Sequence, residues 1–100
     1  MIYFEYMPEI KVSLKSKEGD RSIYEVEVRE GDSATKHEVE VQDSYAQKLI
    51  GSRSSIEELV RDSFEFLLER ESKESILSQF NLKKIEFYFP EFASVISTEA

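Results

Sequence analysis

The 100-residue sequence contains no cysteine, one histidine, three glycines and two prolines. The absence of cysteine excludes disulfides, thiolate metal sites and a cysteine nucleophile, and is compatible with a reducing compartment. The sequence has no apolar run of about 18 residues, which a membrane-spanning helix requires. Its first ten residues lack the basic and apolar regions of a secretion signal. We therefore expect a soluble cytoplasmic protein that does not enter a membrane.

Established catalytic and nucleotide-binding patterns are also missing. The sequence contains no P-loop, GxGxxG, HExxH or GxSxG pattern. The single histidine, His37, excludes a histidine-rich metal site, and its alternation with Val39 and Val41 predicts a half-buried structural side chain. Because no base, nucleophile and oxyanion donor occur at a meaningful spacing, we expect no enzyme activity. We predict no catalytic residue, metal ligand or cofactor.

Basic residues are few relative to acidic ones. The chain has 13 Lys and Arg residues against 21 Asp and Glu residues, which gives a formal net charge of −8. Both halves share the acidity, since residues 1–53 carry −3 and residues 54–100 carry −5. Such a charge opposes non-specific attraction to phosphate backbones and anionic membranes. The composition therefore disfavours nucleic acid and lipid as partners.

Three stretches alternate apolar and polar residues with the period of a half-buried strand. They run from Ile10 to Ser16, from Ser22 to Arg29 and from Lys36 to Val41. Turn signals at Gly19 and Gly31 separate them, which predicts an antiparallel meander. Four carboxylates are predicted to share its outward face: Glu25, Glu27, Glu38 and Glu40. Because basic residues are interspersed among them, we expect a solvent-exposed face of ion pairs and not a metal site.

The clearest helical pattern is IEELVRDSFEFLLER, from Ile56 to Arg70, whose apolar residues recur on one helical face. Ser55 and Glu58 have the spacing of a capping box at its start. A shorter helix, DSYAQKLIG, is predicted before it and ends at Gly51. Two short helices are predicted after it. The first contains Ile76, Leu77 and Phe80, and the second contains Leu82, Ile85 and Phe89.

These patterns predict an α+β fold, namely a three-stranded antiparallel meander packed by one long amphipathic helix, with short helices before and after it. Residues 9–92 form the predicted domain. Residues 1–8 are predicted to be an N-terminal extension or an edge strand, and residues 93–100 a C-terminal tail.

The segment KHEVEVQDSYAQKLIGSRSSIEELVRDSFEFLLERE resembles ribbon-helix-helix DNA-binding proteins, including bacterial antitoxins, in its order of strand, short helix, turn and longer helix. The resemblance implies a dimer whose ribbon reads the major groove and whose second helix holds a phosphate at its N-terminus. It makes Arg53, Ser54 and Ser55 the candidate phosphate anchor. The ribbon departs from the family pattern because Glu38 and Glu40, on its outward face, repel phosphate.

A longer stretch, from Ser44 to Phe92, resembles a small family of uncharacterised microbial proteins. The resemblance rests on the pattern EELVR-x-SFEFLLERE-x-KESIL and on a YFPEF end. It implies no activity and assigns no functional residues, so it leaves the function to be argued from the side chains themselves.

Five aromatic residues crowd 13 positions near the C-terminus: Phe80, Phe87, Tyr88, Phe89 and Phe92. Either these rings close the open side of the core, or some of them form a contact surface, where aromatic anchors are enriched. The candidate interface residues are Phe87, Tyr88 and Phe92. We therefore expect a non-catalytic protein interaction or adaptor module, as a homo-oligomer or with a protein partner. The alternative is an antitoxin-like DNA-binding regulator.

Overall fold

The computed structural model describes residues 8–98, and within that range the predicted α+β class is confirmed. The strands of this part of the chain are β1 (Glu9–Glu18), β2 (Arg21–Glu30), β3 (Ser33–Gln42) and β4 (Gln79–Asn81). Its helices are α1 (Asp43–Leu49), α2 (Ile56–Leu68), α3 (Lys84–Tyr88) and α4 (Phe92–Thr98). The prediction for residues 1–7 lies outside the described residues.

Strands β1, β2 and β3 form the predicted antiparallel meander, within a sheet of order β1-β2-β3-β4. The turns of both hairpins contain a glycine, and Gly19 and Gly31 each have φ of 61°. Glycine adopts this left-handed conformation without steric cost, which explains its place in both turns. The valines of β2 and β3 are buried on one face, so the predicted alternation holds across the middle of the sheet.

A bulge interrupts the first strand. The pairing of β1 with β2 shifts between Leu14 and Ser16, so Lys15 is an extra residue in β1. On the outer face of the sheet, the Lys15 side chain pairs with Glu38 of β3. Leu14, which the alternation assigns to the inner face, is left 53% exposed near this edge of the sheet. The second half of β1 therefore contributes little to the core.

Helix α2 packs its apolar stripe beneath the sheet. Leu59, Val60 and Phe64 are completely buried. The predicted cap is present, since the Ser55 hydroxyl accepts a hydrogen bond of 3.2 Å from the backbone N–H of Glu58. The helix ends at Leu68, two residues before the predicted end. Among the described residues, no helix is long and apolar enough to cross a bilayer.

The segment after α2 differs from the prediction. The predicted helix around Ile76, Leu77 and Phe80 is replaced by a 3₁₀ turn, Lys73–Ser75, and by strand β4. Strand β4 pairs in parallel with β3, so the described sheet has four strands where the sequence predicted three.

The reason for this difference lies in the outer edge of β3. The Glu38 N–H donates to the Ser78 carbonyl at 2.7 Å. Just beyond β4, the Leu82 N–H donates to the Glu40 carbonyl at 2.9 Å. Unpaired backbone groups on a strand must find partners, and the chain returning from α2 supplies them. Because these partners are about forty residues apart in sequence, local periodicity does not reveal them.

Residues 93–98 belong to the fold, while residues 99 and 100 of the predicted tail lie outside the described residues. Residues 93–98, predicted to be tail, lie in α4, which contacts α1 and α2. Ile96 is completely buried there. Burial of this side chain accounts for a helix that extends past the predicted domain boundary at residue 92.

Candidate functional site

An apolar groove of about 270 Å³ lies between the end of α2, the 3₁₀ turn, β4 and α3, and we call it the α3 groove. Its lining includes the buried side chains of Leu67, Ile76 and Ile85. Two larger apolar side chains on the same groove are accessible to solvent, since Leu77 is 46% exposed and Tyr88 is 57% exposed. The groove therefore combines an apolar base with apolar side chains that no part of the described chain covers.

Next to the groove, α3 presents two neighbouring rings that we call the aromatic pair, Phe87 and Tyr88. The Phe87 side chain is 75% exposed, and its ring meets that of Tyr88 edge to face, with centroids 5.4 Å apart. The Lys84 ammonium lies 5.2 Å from the centre of the Phe87 ring, a cation–π distance. Two of the three candidate interface residues thus lie together on an exposed surface.

The third candidate residue, Phe92, is buried. It has 0% exposure, and its ring meets that of Phe66 edge to face at 5.1 Å. Phe92 was predicted to contribute to a contact surface, whereas α4, which follows the turn at Pro90, directs its ring into the core. Phe80 and Phe89 also pack against the core. The C-terminal aromatic residues therefore divide into rings that close the core and the exposed aromatic pair.

Helix α3 is short, and contacts outside it fix its position. The Tyr45 hydroxyl on α1 donates a hydrogen bond to the Glu86 carboxylate. At the start of the helix, the Lys83 N–H donates to the Asn81 side-chain oxygen at 2.9 Å. Burial raises the pKa of the Tyr45 phenol above its usual range, and the neighbouring Glu86 carboxylate raises it further. The aromatic pair is therefore attached to the body of the protein through Tyr45.

This raised pKa predicts how stability depends on alkaline pH. An unfolded tyrosine ionises near pH 10, whereas Tyr45 in the folded chain keeps its proton, so the unfolded state then binds fewer protons. The contribution of Tyr45 to the free energy of unfolding is fully present below about pH 10 and declines as the pH rises beyond it. In urea denaturation above that pH, we expect Tyr45→Phe to lose less stability than the wild type. Tyr88→Phe, which removes an exposed hydroxyl, is the control, and identical pH profiles for all three proteins would contradict the prediction.

The side chain of His37 is buried in the protein and hydrogen-bonded there. His37 is buried more fully than predicted, and its ring packs against Phe64 with centroids 5.4 Å apart. Its Nδ1 lies 2.7 Å from the Leu77 carbonyl oxygen, which can only accept, so Nδ1 carries the proton. Its Nε2 lies 2.8 Å from the Thr35 hydroxyl. Both ring nitrogens are therefore engaged, and the Nδ1 bond joins β3 to the segment that carries Leu77.

The candidate phosphate anchor is occupied by the protein itself. The Arg53 side chain is 3% exposed, and its Nε donates to the Asp62 carboxylate at 2.6 Å. Its Nη1 donates to the Leu49 carbonyl at 3.0 Å and its Nη2 to the Ile96 carbonyl at 2.9 Å. Arg53 was predicted to hold a phosphate, whereas in this fold its guanidinium is buried and its donors already bond to groups of the protein.

The two serines beside Arg53 also have partners. The Ser54 hydroxyl donates to the Glu58 carboxylate at 2.9 Å, which places a negative charge where a phosphate would bind. The Ser55 hydroxyl caps α2. Strand β3 pairs with β2 on one side and with β4 on the other. In a ribbon-helix-helix protein, the strand instead belongs to the ribbon of a dimer that enters the major groove. These contacts remove the residues on which the DNA-binding alternative depended.

The outer face of the sheet carries the predicted ion pairs. Arg21 lies 2.8 Å from Glu40, and Arg29 lies 3.2 Å from Glu27. In residues 8–98, no group of three or more acidic or histidine side chains is arranged to hold a metal ion. The face is therefore a solvated surface of mixed charge.

Sequence reasoning found the aromatic pair but not the groove beside it. Leu67, Leu77 and Lys84 come from separate elements, and their meeting depends on β4, which periodicity did not reveal. Ile76, Leu77 and Phe80 form an apolar pattern that indicates packing, but the sequence alone predicts a helix there and not a strand beside a groove. Comparisons with family models, curated proteins and solved structures find no match to this chain.

Proposed function

We propose that this protein is a non-catalytic protein interaction module whose contact surface is the α3 groove together with the aromatic pair. The observation that supports the proposal is the exposure of two adjacent rings and of Leu77 around an apolar groove. Single exposed apolar side chains are common, but clustered ones beside a groove are typical of binding surfaces. Buried aromatic anchors contribute much of the binding energy at such surfaces.

A purely structural role for the aromatic pair has less support. Phe92, Phe89 and Phe80 already pack against the core on this side, and Phe87 has most of its surface in water. A side chain with that exposure contributes little to folding stability, so a polar residue would serve the fold equally well. The absence of cysteine and the strong negative charge fit action in the cytoplasm, which is part of the proposal.

A site-specific crosslinking experiment tests the proposal. A photo-crosslinking amino acid at position 87, introduced in the native cell, should capture a defined protein, while the same group at Ser13 on the outer sheet face should not. The captured protein is then purified and titrated with the wild type and with a Phe87→Ser, Tyr88→Ser double variant. We expect the double variant to bind at least about 30-fold more weakly, since it loses two anchors, and to remain folded.

Two outcomes would contradict the proposal. The first is equal capture, or none, at positions 87 and 13. The second is unchanged affinity of the purified partner for the double variant, which would show that the aromatic pair is not the contact. Circular dichroism of each variant separates a binding defect from a folding defect.

A further inference from the structure

We infer that the occupant of the α3 groove is a second copy of this chain, related by a two-fold axis that brings each aromatic pair to the groove of the other copy. The inference rests on the proposed function, because it names the partner for that same surface.

The shape of the surface fits a two-fold contact. In a two-fold contact the same patch faces itself, so it must contain both a projecting part and a receiving part. Phe87 projects from α3, and its neighbour Tyr88 lines the groove. The volume of about 270 Å³ is on the scale of a few side chains. Helix α3 thus presents the projecting ring and borders the groove that would receive the ring of the other copy.

The groove also carries charged groups of both signs. Glu71, just after α2, and Lys84, at the start of α3, both line the groove and have opposite charges. Within residues 8–98, neither of them forms an ion pair, whereas Arg70 and Lys73 nearby are each paired twice. A two-fold rotation can place Glu71 of each copy against Lys84 of the other. A partner of one charge sign would leave one of these groups without a counterion.

The size of the surface determines how tightly we expect the two copies to bind. Three exposed apolar side chains are well below the roughly 800 Å² per partner of a standard interface. The net charge of −8 on each chain also opposes association. We expect a dissociation constant of roughly 10–100 µM. Salt screens the long-range repulsion between the two chains more than the two close contacts between Glu71 and Lys84, so the dimer should become tighter as salt rises. A basic partner would show the opposite salt dependence.

The test is analytical ultracentrifugation of the full chain from about 5 µM to about 1 mM at low and moderate salt, a range that brackets the expected affinity. The mass should rise from 11.7 kDa towards twice that value, and more readily with added salt. The double variant Phe87→Ser, Tyr88→Ser should weaken the dimer at least about 30-fold. A dimer that forms equally well without these two rings would overturn the inference.

Charge reversal tests the reciprocal geometry. Glu71→Lys and Lys84→Glu should each weaken the homodimer by roughly tenfold, because each variant places like charges together at both contacts. An equimolar mixture of the two variants should dimerise again, since the heterodimer has opposite charges at both contacts. Glu25→Lys and Lys36→Glu, on the outer sheet face, make the same changes in net charge and serve as controls. A mixture that stays monomeric would overturn the inference.

The two proposals can fail separately. A chain that is monomeric at about 1 mM, well above the expected dissociation constant, would overturn the inference of a second copy. If crosslinking at position 87 then captures a different protein, and if that protein requires the aromatic pair, the interaction function stands with another partner. If neither self-association nor a groove-dependent partner is found, both proposals fail.

Discussion

Replacement of Arg53 by methionine is expected to lower the free energy of unfolding by about 3 kcal/mol. The guanidinium is buried and donates to Asp62, to the Leu49 carbonyl and to the Ile96 carbonyl. Methionine fills part of the volume but donates no hydrogen bond, so these carbonyls and the Asp62 carboxylate lose a partner. Because Asp62 keeps some contact with solvent, we place the loss at the lower end of the range for a broken buried ion pair. Urea denaturation at neutral pH measures this difference.

Two variants act as controls for the Arg53 result. Arg61→Met removes a guanidinium from the exposed face of α2 and should change stability by no more than about 0.5 kcal/mol. Arg53→Lys keeps the charge but lacks the planar set of donors, so its stability should fall between those of the wild type and Arg53→Met. A loss below about 1 kcal/mol for Arg53→Met would mean that solvent replaces the lost hydrogen bonds and that the network is less important than its burial indicates.

Replacement of Phe92 by alanine is expected to lower the free energy of unfolding by about 3–5 kcal/mol. The ring is completely buried, packs edge to face on Phe66 and lies where α4 meets the rest of the core. The substitution removes this apolar contact and leaves a cavity that the surrounding helices only partly fill. Thermal and urea denaturation measure the effect.

The matched control is Phe87→Ala, the same substitution five residues earlier. We expect it to change stability by no more than about 0.5 kcal/mol, since the Phe87 ring is mostly in solvent. The pair of variants therefore separates a ring that holds the fold together from a ring available for binding. Similar losses for both variants would show that Phe87 packs on the protein in solution, and this would remove the main support for the proposed contact surface.

The elements that the sequence predicted correctly are those determined by neighbouring residues. The Ser55 cap and the apolar stripe that follows it define α2 from residues that are close together in the sequence. The alternation around Val26 and Val39 likewise needs no information from elsewhere in the sequence. Helical and strand periods are local quantities, and one face of each of these elements is buried.

The features that the sequence did not predict depend on distant partners. Strand β4 forms by pairing with the edge of β3, and the buried Arg53 donates to a carbonyl in α4. In sequence, Arg53 stands among serines and resembles an exposed basic residue in a turn.

The candidate site also depends on contacts between residues that are distant in sequence. Phe87 and Phe92 are both aromatic residues of one short segment, but Phe87 lies in α3 before the turn at Pro90 and Phe92 begins α4 after it. The aromatic pair could thus be proposed from the sequence, while the division between buried and exposed rings and the groove itself could not.

The parallel strand β4 also determines the order in which the proposed surface can be assembled. The three antiparallel strands can associate from contacts between neighbouring segments, whereas β4 joins them only after α1 and α2 have crossed over the sheet. Contacts between distant segments carry a greater entropic cost and tend to form late in folding. Helix α3 follows β4 in the chain, so the groove has no second wall before that step. A nascent or locally unfolded chain therefore lacks the complete surface, and association through it would be restricted to molecules that have finished folding.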